Sequence, residues 1–173
     1  LQLGHVPERW KRAVAVMIAK PGKDHSLVTS HSTISLLPVM SKLAERVVQN
    51  RLERWIRSKY TGDLSDGQLI SPFQCGFRPA RQTKDQILRF MQAAYEALNK
   101  NQNLAVIFID IERAFDKVWH EGLIWLLWKR LDIPAYLGSW IVSYLSNRSF
   151  RTRVDGHLSS SRPIRAGVPQ GSV

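Results

Sequence analysis

Six consecutive apolar residues, 104–109 (LAVIFI), stand directly before the carboxylate of Asp110. An apolar run of this length predicts a β-strand that is buried on both faces, and such a strand fixes the position of the residue at its end. A carboxylate that leaves a sheet toward a cleft suits a magnesium ion that also binds substrate phosphates. The strand alone equally allows an aspartate that caps the next element or faces solvent.

The charge of the chain favours a polyanionic partner. Its 173 residues carry a net charge of +11, with a pI near 10.3, while 44% hydrophobic and 23% charged residues are values typical of a globular domain. The basic residues concentrate toward the start, where 11 Lys and Arg stand against 4 Asp and Glu in residues 1–60. Nucleic acid or an anionic membrane surface would match this charge.

Cysteine content and hydropathy further narrow the class of protein to which the chain can belong. Cys75 is the single cysteine, which excludes an internal disulfide and a cysteine-based zinc site and predicts an intracellular protein, in nucleus or cytoplasm. The apolar runs are much shorter than a membrane span, so no membrane association is predicted. Because the chain starts at Leu1 without methionine and stops at Val173 without a terminating signal, we expect it to be an excerpt of a longer protein.

Periodicity and turn signals predict an α+β fold. In the helix that follows Pro38, Leu43, Val47 and Leu52 recur at helical spacing and predict the buried face, while basic residues occupy another face. The other predicted elements are a strand over 12–19, a basic turn over 20–24, a polar loop over 60–67, helices over 85–99, 123–131 and 137–145, and a β-hairpin around Asp155-Gly156.

Two motifs at a characteristic distance resemble a known family. Asp110, Ala114-Phe115 and Asp116 are followed by Val118-Trp119-His120, and residues 166–172 read AGVPQGS. Together they resemble motifs A and B of reverse transcriptases, and in particular the jockey-like group of non-LTR retrotransposons. The fingers region of that family is similar to further segments in the same order, which are Trp10-Lys11, 20–24 (KPGKD), 34–37 (ISLL), Ser41-Lys42, 74–78 (QCGFR) and Gln86.

The resemblance implies a right-hand polymerase with mixed helices and a partial antiparallel palm sheet. Residues 1–103 would be the fingers, with an approximate boundary, and residues 104–173 a partial palm. The parent would be an RNA-directed DNA polymerase that adds dNTPs to a primer 3′-hydroxyl on an RNA template. The Asp-Asp pair of motif C and the thumb are not found in residues 1–173, so we expect the isolated chain to lack polymerase activity.

The resemblance also implies roles for residues of the partial palm. Asp110, with the backbone carbonyl of Ile111, would bind Mg²⁺, with Mn²⁺ as an alternative. Phe115 would lie under the deoxyribose and exclude a 2′-hydroxyl, although an aromatic residue at this place is also typical of an ordinary core. Asp116 is equally well explained as a helix cap.

Further roles are implied for the loop at 166–172 and for the fingers. Gln170 would stand beside the nucleotide, and Gly167 and Gly171 would let the backbone approach the template and the bound base pair. Arg165 is either a phosphate ligand or a solvated hairpin residue. In the fingers, Lys20 and Lys23 would contact the triphosphate and Arg78 the template strand, whereas surface lysines are the ordinary alternative.

One position departs from the family. Most relatives have Tyr-Arg-Pro-Ile where this chain has His31-Ser32-Thr33-Ile34, so the arginine expected to contact the triphosphate is replaced by Ser32. Losing a charge-assisted hydrogen bond to phosphate costs about 1.5 to 3 kcal/mol. Either another cation compensates for the missing arginine, or the retrotransposon has decayed.

Two other readings make different predictions. A non-catalytic nucleic-acid-binding remnant or domesticated module would keep salt-dependent binding, and its binding would not depend on Asp110. A phosphatase with a nucleophilic strand-end aspartate requires Asp-x-Asp, and the third residue here is Glu112. Within the polymerases, group II intron and telomerase types remain open, although residues 116–120 (DKVWH) favour the retrotransposon branch.

Overall fold

The computed structural model describes residues 4–59, 71 and 73–172. These residues fall into two compact units. Those within Leu1–Ile56 and Glu112–Val173 form the first unit, and those within Arg57–Ile111 form the second. The predicted loop at 60–67 and Pro72 lie outside the described residues. The predicted boundary between fingers and palm after residue 103 stays a prediction.

A mixed sheet organises the first unit. Its strands are β1 (Arg12–Ala19), β2 (His31–Leu36), β3 (Ser149–Val154), β4 (His157–Leu158) and β5 (Arg162–Pro163). The strand order is β2-β1-β3-β4, and β5 also pairs with β3. All pairs are antiparallel except β1 with β3, which run parallel. The predicted strand at 12–19 and the hairpin at Asp155-Gly156 are confirmed, and the sheet is partly antiparallel.

The helices are α1 (Val39–Lys59), α2 (Thr83–Asn99), α3 (His120–Trp125) and α4 (Ala135–Leu145), and a π-helical turn, Leu126–Arg130, continues α3. The helix α4 begins where the carbonyl oxygen of Pro134 accepts hydrogen bonds from the amides of Leu137 and Gly138. Proline at this place ends the preceding segment and leaves its own carbonyl free for the new helix. The predicted helices are therefore confirmed, with boundaries shifted by a few residues.

The apolar core of the first unit lies where α4 packs near the π-helical turn. Leu127, Leu137, Trp140 and Leu145 are each at most 6% exposed. A methyl group at Gly138 would overlap the indole ring of Trp128, so glycine allows close packing there. Dense packing of this kind makes large-to-small substitutions costly.

The buried stripe of α1 differs from the prediction. The residues that α1 buries are Ser41, Glu45 and Val48, whereas Leu43, predicted to face the core, is 57% exposed. Polar residues are tolerated in the interior because the hydroxyl of Ser41 donates a hydrogen bond of 2.6 Å to Oε1 of Glu45. Apolar spacing therefore misplaced Leu43, whereas Val47 and Leu52 are half-buried.

The described part of the second unit contains the end of α1 at 57–59, α2, and the loop residues at 71, 73–82 and 100–111. The amide of Gln82 donates to Oδ2 of Asp85 at 2.8 Å, which satisfies a free amide at the start of the helix. The preceding loop contacts α2 through Gln86, whose side-chain amide donates to the carbonyl oxygen of Phe73 and to Sγ of the buried Cys75. The segment at 73–78 is thereby held against α2.

The strand predicted at 104–109 is not formed in this structure. Residues 103–111 have no regular secondary structure, and Ile107, Phe108 and Ile109 are 85, 89 and 87% exposed. A β-strand is stabilised by hydrogen bonds to a neighbouring strand, and none of the described residues pairs with this segment. The prediction of a strand buried on both faces is therefore wrong here.

Across the described ranges, every helix is too short or too polar to cross a lipid bilayer.

Candidate functional site

The two motif segments are joined through their backbones. We name residues 112–118 the motif A turn and residues 166–172 the motif B loop. The amides of Gly167 and Val168 donate hydrogen bonds of 2.8 Å to the carbonyl oxygens of Val118 and Phe115. At the start of α3, Nε2 of His120 donates to the carbonyl oxygen of Gly167 at 2.7 Å. Two hydrogen bonds therefore hold one end of the motif B loop against the motif A turn, and a third joins it to α3.

Gly167 is required by this close approach. Its φ of +83° is a conformation that residues with a Cβ rarely adopt, and a Cβ there would lie 2.7 Å from the carbonyl oxygen of Asp116 and 2.8 Å from that of Phe115. The prediction for Gly167 was close approach to the template. The structure shows that the backbone of the motif A turn already requires glycine at this position.

The middle of the motif B loop contacts β2. The amide of Ser35 donates to the carbonyl oxygen of Gln170 at 2.7 Å. Gly171 has a φ of +112°, and a Cβ there would lie 2.7 Å from the carbonyl oxygen of Ser35. Both predicted glycines thus pack against backbone of the same unit. The contact also fixes the backbone of Gln170, whose side chain is exposed.

A cleft of about 340 Å³ opens between the sheet and the motif B loop. Asp116, Arg165 and Gln170 are the acidic, basic and amide-bearing residues among those that line it. The remaining lining residues are Ala15, Thr33, Ser35, Phe150, Pro163, Ile164, Ala166, Gly167, Val168 and Pro169. A concave site with a few convergent polar groups is the usual form of a small-molecule site.

The structure does not place Asp116 as the cap of α3, which was one of the roles expected for it. Trp119 is the residue that precedes α3, and no side chain caps that helix. Asp116 instead lines the cleft together with Arg165. The alternative reading of Asp116 as a helix cap is therefore wrong.

The remaining predicted residues of the first unit do not line the cleft. The side chain of Phe115 is 43% exposed, so it is not an ordinary core phenylalanine. Lys20 and Lys23 lie on the turn after β1, where Nζ of Lys20 donates to the carbonyl oxygen of Thr29 at 3.2 Å. Neither lysine lines the cleft.

Three predicted residues belong to the second unit. Asp110 and Ile111 are exposed at its end, and no cluster of three or more His, Cys, Asp or Glu placed to hold a metal ion occurs within residues 4–59, 71 and 73–172. One carboxylate with a neighbouring carbonyl is still a donor pair of the type that Mg²⁺ accepts. Nη1 of Arg78 donates to the carbonyl oxygens of Ser71 and Gln74 at 3.1 and 3.4 Å, which ties its own loop together.

A buried polar cluster at the end of the motif B loop was not predicted. It joins Glu45 of α1, Tyr144 and Arg148 at the end of α4, and Ser172. Burial raises the pKa of the Tyr144 phenol above its ordinary value and lowers the pKa of the Arg148 guanidinium. A sequence signal existed, because Glu45 is one of only two acidic residues between residues 39 and 59, and Ser41 precedes it at i−4.

Comparison with known proteins decides the family. A family model described as reverse transcriptase (RNA-dependent DNA polymerase) matches residues 18–173, which include the motif A turn and the motif B loop. The chain belongs to the reverse transcriptase family. The predicted resemblance is therefore confirmed.

Relatives of similar sequence come from insect mobile elements. The chain is 42% identical over 173 residues to the RNA-directed DNA polymerase from mobile element jockey of Drosophila melanogaster. It is 38 and 36% identical to the probable RNA-directed DNA polymerases from transposon BS and transposon X-element of the same species. Each match covers the whole chain and 18% of the relative, so this reverse transcriptase segment spans less than a fifth of their length.

Ser32, the residue predicted to depart from the family pattern, lies on β2. Ser32 pairs with Ile18 of β1, whereas Thr33 and Ser35 line the cleft. Successive side chains of a strand point to opposite faces, so Ser32 lies on the face away from Thr33 and Ser35. Among the lining residues of the cleft, Arg165 carries the positive charge.

Proposed function

We propose that this chain forms part of the nucleotide- and template-binding site of an RNA-directed DNA polymerase of a jockey-like non-LTR retrotransposon. The observation that carries the proposal is the direct backbone connection of the motif A turn to the motif B loop beside the polar cleft. We call the full-length protein that carries this chain the parent polymerase. It would extend a DNA primer on an RNA template by adding dNTPs.

Within the first unit, the cleft residues would bind the incoming nucleotide. The side chain of Gln170 would contact it from the motif B loop, and Arg165 would supply a guanidinium to a phosphate. Phe115, half-exposed on the motif A turn, would pack under the deoxyribose and leave no space for a 2′-hydroxyl. Gly167 and Gly171 support these positions by letting the loop approach two backbone segments closely.

Asp110 and the carbonyl oxygen of Ile111 would bind Mg²⁺ or Mn²⁺, because both are hard oxygen donors. Bound divalent ions supply stabilisation of the charge that develops on the attacking and leaving oxygens during phosphoryl transfer. The exposure of Asp110 in the second unit leaves its carboxylate open to ligands. The family is divalent-metal dependent, which supports this assignment.

The finer architecture is also part of the proposal. Residues 1–103 would act as fingers and residues 104–173 as the first part of a palm in a right-hand polymerase. Lys20 and Lys23, on an exposed turn, would contact the triphosphate as point charges. Arg78 would contact the template from a loop that its own guanidinium stabilises.

Primer extension by the parent polymerase, with and without Asp110→Asn, tests the proposal. The amide keeps the size of the side chain and removes its charge, so kcat should fall about a thousandfold or more. Glu112→Gln is the matched control, since it removes an exposed carboxylate two residues away. Binding of primer–template, measured by fluorescence anisotropy, should remain in both variants.

The outcomes separate the two candidate functions. Equal extension rates for the wild type and Asp110→Asn would refute the assignment of Asp110. A parent protein that binds RNA with the expected salt dependence, but extends no primer with either metal, would instead support the non-catalytic nucleic-acid-binding remnant. That alternative is favoured by the net charge of +11 and by Ser32 in place of the family arginine.

A further inference from the structure

Glu45 carries a buried carboxylate that connects α1 to the motif B loop. The side chain is 6% exposed, and each of its oxygens accepts a hydrogen bond. Oε1 accepts from the hydroxyl of Ser41 at 2.6 Å, and Oε2 accepts from the hydroxyl of Ser172 at 2.5 Å. Hydrogen bonds to a charged acceptor are short and stronger than neutral ones, so this is a firm connection between residues far apart in sequence.

The hydroxyl of Ser172 also contacts Tyr144, with 2.9 Å between the two oxygens. Either of these two hydroxyl groups can be the donor in the pair, and the phenol of Tyr144 also interacts with the carboxylate of Glu45. The guanidinium of Arg148 lies 4.3 Å from the centre of the Tyr144 ring. A positive charge in this place is electrostatically matched to the buried carboxylate of Glu45.

This cluster is the third attachment of the motif B loop. The first, at Gly167 and Val168, joins it to the motif A turn, and the second, at Gln170, joins it to β2. Between the second and third attachments, the amide of Ser172 donates to the carbonyl oxygen of Pro169 at 3.1 Å and closes a turn around Gln170. The position of Gln170 therefore depends on what holds Ser172.

We propose that Glu45 is a positioning residue that, through Ser172, fixes the turn carrying Gln170 and thereby sets nucleotide affinity. The inference rests on the proposed function, because it assumes that Gln170 contacts the incoming nucleotide. Glu45 lies in α1 and is not among the residues that line the cleft. Its effect on the nucleotide is thus indirect.

A matched pair of serines tests the proposal in the parent polymerase. Ser172→Ala and Ser41→Ala each remove one hydroxyl that donates to the same carboxylate, but only the first frees the loop. Ser172→Ala should speed amide hydrogen exchange across 166–172 and raise the KM for dNTP, each by about tenfold, the size expected for one charge-assisted hydrogen bond. The value of kcat should change much less. Ser41→Ala should leave exchange in the loop and KM close to wild type.

Glu45→Gln adds a second, nearly isosteric variant. An amide is uncharged, so its hydrogen bond to Ser172 is a neutral one, weaker than the bond to the carboxylate, and the loop should loosen in the same direction as in Ser172→Ala. Combining Glu45→Gln with Ser172→Ala should add little to either single change, because both break the same connection. Tyr144→Phe leaves the bond between Ser172 and Glu45 in place and should change KM less than Ser172→Ala.

Equal behaviour of Ser172→Ala and Ser41→Ala in hydrogen exchange would overturn the proposal. So would a Glu45→Gln variant with unchanged exchange in the loop and unchanged KM. Failure of the proposed function can be distinguished from failure of this inference. If the wild-type parent extends no primer, the proposed function fails, but hydrogen exchange in the serine variants still measures how firmly the loop is held. Faster exchange in Ser172→Ala with an unchanged KM would show an anchored loop that does not position the nucleotide, and would also overturn the proposal.

Discussion

The amide of Val168 donates a hydrogen bond to the carbonyl oxygen of Phe115 at 2.8 Å, and this bond joins the two motifs that the chain shares with reverse transcriptases. The neighbouring Gly167 makes the approach possible, because its missing Cβ leaves room for the carbonyl groups of Phe115 and Asp116. The two motifs are far apart in the chain. Their connection at the backbone level is therefore a property of the folded unit.

Replacing Gly167 by alanine should be much more destabilising than replacing Gly156. Both glycines have nearly equal positive φ values, +83° and +81°, but a Cβ at Gly156 meets nothing within 4 Å. Gly156→Ala should therefore cost only the backbone strain, about 1 to 2 kcal/mol. Gly167→Ala should cost about 1 to 3 kcal/mol more, because the methyl group must displace two backbone carbonyls. Urea unfolding of the two variants measures the difference, and equal midpoints would contradict the close packing at Gly167.

Tyr144→Phe should reduce the loss of stability at alkaline pH. Burial raises the pKa of Tyr144 above the ordinary value of 10.0, since the phenolate is poorly solvated in the interior. The folded state thus holds the proton more tightly than the unfolded chain. The stabilisation is fully present below pH 10 and is lost as the pH rises toward the folded-state pKa, with a slope of at most about 1.4 kcal/mol per pH unit.

The measurement is the free energy of unfolding between pH 8 and pH 12 for the wild type, Tyr144→Phe and Tyr136→Phe. Tyr136 is exposed and serves as the control for removing a phenol. Titration of lysines and arginines affects all three proteins alike, so the difference in slope isolates Tyr144. Parallel curves for the wild type and Tyr144→Phe would show that the phenol is not protected in the folded state.

Phe115→Ala should weaken the discrimination of the parent polymerase against ribonucleotides. If the ring lies under the deoxyribose, its removal opens space for a 2′-hydroxyl, and the ratio of kcat/KM for dNTP over NTP should fall about ten- to hundredfold. Phe150→Ala is the control, because Phe150 is a phenylalanine that lines the cleft from β3. A similar fall in both variants would mean that general packing, and not a steric filter at residue 115, determines sugar selection.

Arg165→Gln should weaken binding of primer–template or nucleotide to the parent polymerase through a lost phosphate contact. Arg165 lines the cleft, whereas the equally exposed Arg162 of β5 does not. Losing one phosphate contact lowers the slope of log K against log salt by about 0.7 to 0.9. Titrations at several salt concentrations should show this change for Arg165→Gln and a smaller one for Arg162→Gln. Identical slopes would show that Arg165 is a solvated surface residue that contacts no phosphate.

Features that depend on neighbours in sequence were predicted well. The apolar run at Arg12–Ala19 forms β1 with the predicted bounds, and α2 and α4 follow the helical spacing of their apolar residues. The hairpin turn at Asp155-Gly156 has positive φ at both residues, as the Asp-Gly pair predicts. In each case the signal lies within one element, where the backbone preference of the residues and the period of their side chains act directly.

Features that depend on distant residues were missed. The parallel pairing of β1 with β3 and the contact of Glu45 with Ser172 leave no periodic pattern in the chain. The apolar run at 104–109 shows the opposite error, because a strong local signal for a strand has no hydrogen-bonding partner among the described residues. A strand or a buried carboxylate is stable only where another segment supplies the matching donors and acceptors.

Membership of the reverse transcriptase family, the helices, β1, the Asp155-Gly156 hairpin and the residues of both motifs were predicted from the amino acids. The motif spacing and the short-range preferences of these segments depend only on nearby residues in the chain. Folding alone brought Gly167 onto the carbonyls of Phe115 and Asp116, placed Asp116 with Arg165 in one cleft and buried Glu45 against Ser172. Those contacts join residues separated by tens of positions, and their energies depend on geometry that exists only once the elements have packed.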